Sequence, residues 1–176
     1  MQIRLWVNTI SQFFKFILFI TCCVVYATGS FADQGNGNNL TCSLSVINLN
    51  FGSFNPYDQT PETGLTTASV TCTTTGDFST NVSYTVSFSA GNSGDETARI
   101  AKQGASLPLS YNIYANGGYT QILGDGLSNT YTLSKSYFLS KNDSQTDTFT
   151  IYGKIPVQAL TNTGTYTDTL TVTLTY

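Results

Sequence analysis

The sequence has 176 residues, a formal net charge of −3 at pH 7 and no histidine. Charged residues make up only 10% of it and form no basic patch, so we expect no nucleic acid partner. The absence of histidine removes the commonest general base and a frequent metal ligand, which argues against an enzyme.

The first segment, residues 1–32, has the layout of a secretory signal peptide. Arg4 supplies a positive charge, an apolar run covers 13–26, and small residues follow it. This order of regions predicts cleavage after Ala27 or after Ala32. A transmembrane anchor is the alternative, but the run is shorter than the roughly 20 residues that span a bilayer.

Cleavage would leave a polar tail, 33–41, and a single domain, 42–176. Residues 33–176 contain five basic and ten acidic side chains, which gives a net charge of 5 − 10 = −5. Two cysteines remain, Cys42 and Cys72, and in an exported chain this pair predicts a disulfide. A zinc site would lack both histidine and a third cysteine.

Alternating apolar and polar residues predict β-strands throughout the mature chain. Turn residues separate these strands, and no stretch has a helical period. The parity slips between Val46 and Leu49, which indicates a bulge. The pattern predicts an antiparallel β-sandwich. Strands are expected near 42–46, 68–72, 82–88 and 107–115, later strands are marked by Tyr131 with Leu133 and by Phe149, Ile151 and Ile155, and the chain ends on a strand near 170–176.

The last predicted strand is the most regular, because Leu170, Val172, Leu174 and Tyr176 alternate with threonine. No turn and no partner strand follow it. If it is the sixth strand of a seven-stranded immunoglobulin-type sandwich, its edge and an apolar groove are open, and an extended segment of another chain would complete the sheet. The alternative is that an earlier strand covers this edge.

Other chemistry is sparse. The acidic residues lie mainly in turns, and Asp168, at the start of the last strand, is expected to stabilise a turn. Oxygen ligands cluster in 91–97 and 142–147, without a recognised calcium-loop spacing. We therefore predict no catalytic residue, no cofactor, no metal site and no small-molecule substrate.

Aromatic residues outside the expected core suggest a different role. Tyr119 follows a Gly-Gly turn, and one of the adjacent pair Tyr137 and Phe138 must point outward. Exposed aromatics can form a binding surface. A self-contained secreted module that binds carbohydrate or surfaces is therefore the alternative to a structural subunit.

Several short motifs, taken in order, resemble the spore coat protein U domain family. The resemblance covers about 42–176 and is carried by CSLSV (42–46), LNFGSFNP (49–56), SVTC (69–72), RI (99–100), LSYNIY (109–114), YGKI (152–155) and GTYTD (164–168).

The resemblance implies an incomplete immunoglobulin-like sandwich that lacks its last strand, as in subunits of Csu-type archaic chaperone–usher pili. A periplasmic chaperone would lend a strand, and an outer-membrane usher would exchange it for the N-terminal extension of a neighbouring subunit. The acceptor groove would lie between the first and last strands, lined by Leu44, Val46, Leu170, Val172, Leu174 and Tyr176.

One feature departs from a shaft subunit. The tail 33–41 has Leu40 as its only apolar residue, so it is a poor donor strand. This favours a terminal or minor subunit at the cell surface, with a role in adhesion and biofilm formation, although tip adhesins of this family usually carry an additional domain.

Overall fold

The computed structural model of the chain describes residues 2–9, 39–104, 106–159 and 163–176. Within these ranges there is no α-helix, and two short 3-10 helices occur at Pro56–Asp58 and Gly91–Ser93. The predicted apolar run 13–26, both predicted cleavage positions and residues 33–38 of the tail lie outside the described residues.

The described residues form eleven β-strands: β1 (Gln2–Thr9), β2 (Asn39–Val46), β3 (Leu49–Asn50), β4 (Glu62–Thr75), β5 (Thr80–Phe88), β6 (Ile100–Ala101), β7 (Leu109–Ser110), β8 (Asn112–Tyr114), β9 (Leu133–Leu139), β10 (Ser144–Ile155) and β11 (Thr167–Thr175). One sheet has the order β3-β1-β11-β5-β9, and the other has the order β2-β4-β10-β8. Strands β6 and β7 form a separate pair. The predicted all-β sandwich is confirmed, and its pairs are antiparallel except β1 with β11, which is parallel.

Strict alternation places one face of each main strand in the core. On β5, the side chains of Val82, Tyr84, Val86 and Phe88 are buried, while the serine and threonine residues between them are at least partly accessible. Cys42 and Cys72 face each other across β2 and β4 and form the predicted disulfide, with both residues buried.

The outer face of the second sheet explains the abundance of threonine and serine. Strand β10 pairs over its whole length with residues 62–73 of β4, and hydroxyl groups bond across the pair at 2.8–3.1 Å. Threonine is β-branched and therefore favours strand geometry. Its hydroxyl group finds a hydrogen-bond partner on the neighbouring strand of this solvated face. The pairs are Ser69 with Thr148, Thr71 with Thr146, and Thr73 with Ser144.

The parity slip after Val46 marks a change of sheet, so the predicted bulge is wrong. β2 ends at Val46 in one sheet, and β3 begins at Leu49 in the other. Leu49 and Phe51 then bury their side chains in the core from the opposite side. The inner faces of two packed sheets point toward each other. A chain that crosses from one sheet to the other therefore changes which of its alternating residues point into the core, and this change produces the shift in the apolar alternation.

Candidate functional site: the edge of the last strand

Strand β11 carries the alternation that was expected of an acceptor edge. Leu170, Val172 and Leu174 are completely buried, and the threonines between them point toward the outer face. Its other side pairs with β5, where Thr173 lies opposite Ser87 and Leu174 opposite Val86. One side of β11 is therefore held by the sandwich, and its other side is the edge in question.

The N-terminal strand β1 covers that edge. Its residues pair in parallel with β11 from Gln2 opposite Thr167 to Thr9 opposite Leu174. On its other side β1 pairs antiparallel with β3, with Ile3 opposite Leu49. We call the space between β3 and β11 the edge groove. The full chain therefore follows the alternative given by the sequence, in which an earlier strand covers the edge of the last strand.

Backbone alternation shows which groups of β11 face the edge groove. The Thr171 carbonyl accepts a hydrogen bond from Ser89 N–H at 2.9 Å, and the Thr171 N–H donates to the Ser89 hydroxyl at 2.8 Å. Thr171 is thus directed to the β5 side. Because successive residues of a strand direct their backbone groups to opposite sides, those of Leu170 and Val172 face β1.

The six residues predicted to line the groove do not all lie on this edge. Leu170, Val172 and Leu174 are on β11, and Tyr176 follows it half-buried against the core. Leu44 and Val46 are on β2 in the opposite sheet, where Leu44 is buried and Val46 half-buried. They contribute to the core beneath the groove.

Sequence reasoning missed the actual rim opposite β11, which is β3 and the residue after it. Leu49 and Phe51 are buried there, and Gly153 of β10 lies against them. The parity slip after Val46 was the available signal. A segment that changes sheets and buries two large side chains can form the border of a groove.

A buried polar cluster fixes the start of β11. Asp168 is buried; its Oδ2 accepts a hydrogen bond from the Tyr111 hydroxyl at 2.7 Å, and its Oδ1 accepts one from Asn92 N–H at 2.8 Å. The expectation that Asp168 stabilises a turn is confirmed by this second contact, since Asn92 lies in the 3-10 helix Gly91–Ser93. Gly91 has a positive φ of 64°, and a Cβ there would collide with the Asp168 carboxylate.

Arg99 is the cation of the same region and is completely buried. Its guanidinium donates to the main-chain carbonyls of Ser89 at 2.8 Å and Glu96 at 2.9 Å, and to Asn112 Oδ1 at 2.7 Å. Burial lowers the pKa of Arg99, but arginine remains charged in proteins. The carbonyl cage satisfies its donors, so the cluster organises the loop before β6 and offers no free reactive group.

Burial also raises the pKa of Tyr111 well above its ordinary value, and the negative charge of Asp168 adds to this effect. Tyr111 therefore stays neutral and acts as a hydrogen-bond donor. The contact joins the segment between β7 and β8 to the start of β11. It therefore fixes the position of the strand whose edge is the candidate site.

The three predicted surface aromatics lie in two regions: Tyr137 and Phe138 on β9, and Tyr119 in the loop after β8. Tyr137 on β9 is half-buried and packs edge-on against Tyr84, with ring centroids 6.4 Å apart. Its neighbour Phe138 is 63% exposed, so one member of the pair points outward as expected. Tyr137 therefore contributes mainly to the core, whereas Phe138 is a single exposed ring.

Tyr119 lies in a more organised setting. Its φ is +55°, which is unusual for a bulky residue, and its ring packs edge-on against Tyr114 at 5.4 Å and Tyr152 at 6.5 Å. The ammonium group of Lys154 lies 5.1 Å from its centroid. These residues form a small aromatic and cationic patch, distant in sequence from β11.

In the part of the chain that the structure describes, no group of three or more His, Cys, Asp or Glu could hold a metal ion. Asp95, in one of the oxygen-rich stretches, accepts hydrogen bonds from the Thr97 N–H and hydroxyl, and these bonds lower the pKa of its carboxyl. No helix among the described residues has the length and hydrophobicity to cross a membrane.

Comparison with known proteins identifies one family. The model of the Spore Coat Protein U domain matches residues 36–173, which contain the nine strands β2 to β10 in full. The match extends into β11 but excludes β1, the strand that fills the edge groove. A comparison with curated protein sequences found no match.

Proposed function

The chain belongs to the Spore Coat Protein U domain family, and we propose that it is a secreted structural subunit of a surface pilus or coat that joins its neighbours through the edge of β11. The family is one of structural coat and pilus proteins. The disulfide Cys42–Cys72 fits export to an oxidising compartment. We further propose that residues 1–32 are a signal peptide removed during export.

The observation that carries this proposal is the composition of the edge groove. Residues 39–176 supply both of its borders, β3 and β11, which do not pair with each other. Removal of residues 1–32 takes away β1, so the inward side chains of β11 and its backbone groups lose their cover. Each such large apolar side chain forfeits about 1.5–3 kcal/mol if it becomes fully exposed, and unpaired strand edges recruit other strands.

A strand added from another polypeptide would restore the backbone pairing and the apolar cover of β11. We propose that a periplasmic chaperone first supplies this strand and that an outer-membrane usher exchanges it for a segment of a neighbouring subunit. Support comes from the family and from the edge geometry, in which the backbone groups of Leu170 and Val172 point away from the sandwich strand β5.

The N-terminal tail supports a terminal or minor position. Residues 39–41 are already part of β2, where Leu40 pairs with Thr74 and Thr41 with Thr73. The mature segment ahead of β2 is therefore short and contains no apolar residue. We propose that this subunit accepts a strand but does not donate one, a role compatible with adhesion and biofilm formation.

The test is export of residues 33–176 to a bacterial periplasm, alone and with a candidate chaperone. We expect aggregation or a low melting temperature for the chain alone, and a one-to-one complex with a higher melting temperature when the chaperone is present. Val172→Asp should prevent the complex, because it places a charge on the inward face of β11, whereas Thr171→Asp on the outward face should not. A stable monomer without a chaperone would overturn the proposal.

A second candidate function is supported by the patch around Tyr119. Its positive φ holds the ring against Tyr114, Tyr152 and Lys154, and backbone strain of this kind is common at binding sites. We propose carbohydrate or surface binding through this patch as the alternative. Tyr119→Ala should reduce binding to a polysaccharide panel while Tyr131→Ala, an exposed control, leaves it unchanged; equal binding by both variants would remove this candidate.

A further inference from the structure

The sandwich has another side on which strands end without a neighbour, opposite the side formed by β2, β3 and β11. Strand β9 is the last strand of its sheet. Strand β10 pairs with β8 only at Tyr152–Lys154, so among the described strands residues 145–151 have a neighbour, β4, on one side alone. We call the edges of β9 and of residues 145–151 the far side. Unpaired strand edges recruit other strands, so the far side competes with β11 for a partner.

On β10 the far side carries a charge at an inward position. Asp147 has the same parity as Phe149 and Ile151, and Ile151 is completely buried. The Oδ2 of Asp147 accepts a hydrogen bond at 2.6 Å from the hydroxyl of Tyr84, which lies on β5 in the other sheet. The carboxylate is therefore directed between the two sheets, at the rim of the core.

On β9 the far side carries a second inward charge of opposite sign. Lys135 has the same parity as Leu133 and Leu139, which are buried, and it lies opposite Tyr84 in the register of β9 with β5. Its own side chain is exposed, because a lysine at the rim of a core can extend its ammonium group into water. The two charges thus flank the same tyrosine from different sheets.

The β11 side lacks such a charge along the centre of its edge. Leu170, Val172 and Leu174 are the inward residues there, and all three are completely buried. Asp168, the inward carboxylate of β11, lies at the start of the strand and accepts its hydrogen bond from Tyr111 within the domain. An added apolar strand therefore meets apolar neighbours along the centre of β11.

The same strand would meet a charge on the far side. An added strand places its inward side chains about 4.5–5.5 Å from those of the edge strand. Beside β10 it would separate Asp147 from water, and beside β9 it would separate Lys135 from water. Burial of a charge without a partner is costly, and inward charges are one of the means by which proteins prevent pairing at an edge strand.

We infer that Lys135 and Asp147 are specificity-determining residues that exclude an apolar strand from the far side and so confine strand addition to the β11 side. This inference rests on the proposed function, because it takes β11 as the edge that accepts a partner strand. The two charges then prevent copies of the subunit from joining into a continuous sheet through β9 or β10.

The test uses the full chain 1–176 in mild detergent, in which β1 covers the edge of β11. The double variant Lys135→Met with Asp147→Asn removes both inward charges and leaves the net charge unchanged, and asparagine retains an acceptor for the Tyr84 hydroxyl. We expect this variant to self-associate at least about tenfold more tightly than the unchanged protein in analytical ultracentrifugation. Amide hydrogen exchange over 145–151 should become slower as this edge pairs.

Another pair of charges provides the matched control. Lys141→Met with Asp77→Asn removes an exposed ion pair, in which Lys141 Nζ lies 2.9 Å from Asp77 Oδ1, and it also leaves the net charge unchanged. Neither residue lies in a strand, so self-association should not increase. Lys135→Met alone leaves the contact between Tyr84 and Asp147 intact and should give a smaller increase, which keeps the test decisive if the double variant does not fold. Equal self-association of the two double variants, or no increase in any variant, would overturn the inference.

The outcome can be separated from that of the proposed function. If removal of the inward charges does not increase self-association but residues 33–176 still form the one-to-one complex with a chaperone, the role of the two charges is wrong and strand acceptance at β11 stands. If it increases self-association but residues 33–176 form no complex, exclusion from the far side stands and the proposed function fails.

Discussion

Single polar contacts decide how firmly the last strand is anchored. The Tyr111 hydroxyl and the Asp168 carboxylate meet inside the protein at 2.7 Å, where solvent cannot replace either partner. A hydrogen bond to a buried charged group contributes more than a neutral one on the surface. The residue at the start of β11 is therefore a stability determinant, although its carboxylate offers no chemistry of its own.

We predict that Tyr111→Phe lowers the free energy of unfolding by about 1.5–3 kcal/mol, because Asp168 Oδ2 loses its hydroxyl donor while buried. Urea denaturation of the full chain measures the change. Tyr57→Phe removes the same hydroxyl from a residue that is 88% exposed and should change the stability little. Similar values for the two variants would contradict the role assigned to the buried contact.

We predict that the protein loses stability at high pH through the same tyrosine. Burial raises the pKa of Tyr111 in the folded state, whereas in the unfolded chain it ionises near the ordinary value of about 10. Its contribution is therefore complete below about pH 10 and falls above it, by up to about 1.4 kcal/mol per pH unit. Unfolding free energies measured from pH 8 to 11 should decline less steeply for Tyr111→Phe than for Tyr57→Phe.

At the scale of elements, the border of the edge groove depends on a close approach between strands. Gly153 on β10 pairs with Gly64 on β4, and a Cβ at Gly153 would lie 2.5 Å from Leu49 Cδ2 and 2.6 Å from Phe51 Cζ. The glycine therefore leaves room for the side chains by which β3 and the residue after it pack onto the opposite sheet.

We predict that Gly153→Ala destabilises the protein by about 1–3 kcal/mol, because the added methyl group overpacks the core beneath β3. Thermal or urea unfolding measures the loss. Gly118→Ala is the matched control, since the nearest atom to its Cβ is the Asn116 side-chain nitrogen at 3.3 Å. An unchanged stability in Gly153→Ala would show that Leu49 and Phe51 can shift freely.

At the scale of the whole molecule, the disulfide ties strand β2 to its neighbour β4. Cys42 and Cys72 are 30 residues apart in sequence and join β2, an edge strand, to β4. The bridge limits the freedom of the unfolded chain and keeps the edge strand from peeling away, which matters in a domain that we propose is left with a second open edge after cleavage.

We predict that replacing both cysteines, Cys42→Ala with Cys72→Ala, lowers the unfolding free energy by about 3–4 kcal/mol, as loop closure of this length implies. The measurement is chemical denaturation of the oxidised protein and of the double variant. Reduction of the unchanged protein should produce a similar loss. A double variant as stable as the oxidised protein would contradict this account.

The sequence by itself determined the all-β sandwich class, the disulfide and the alternating face of β11. These follow from local rules, since a period of two and a pair of inward cysteines can be recognised without knowing which strands are neighbours. The exposed Phe138 beside the half-buried Tyr137 follows from the same parity.

Only the tertiary structure decided which strands are neighbours. The parity slip after Val46 fitted a bulge in sequence but is a change of sheet, and this change makes β3 a border of the groove instead of β2. The pairing of β1 with β11 joins segments separated by most of the chain, and no local pattern specifies such a partner. The Tyr111–Asp168 contact is equally invisible, because buried polar partners are chosen by three-dimensional proximity and not by spacing along the sequence.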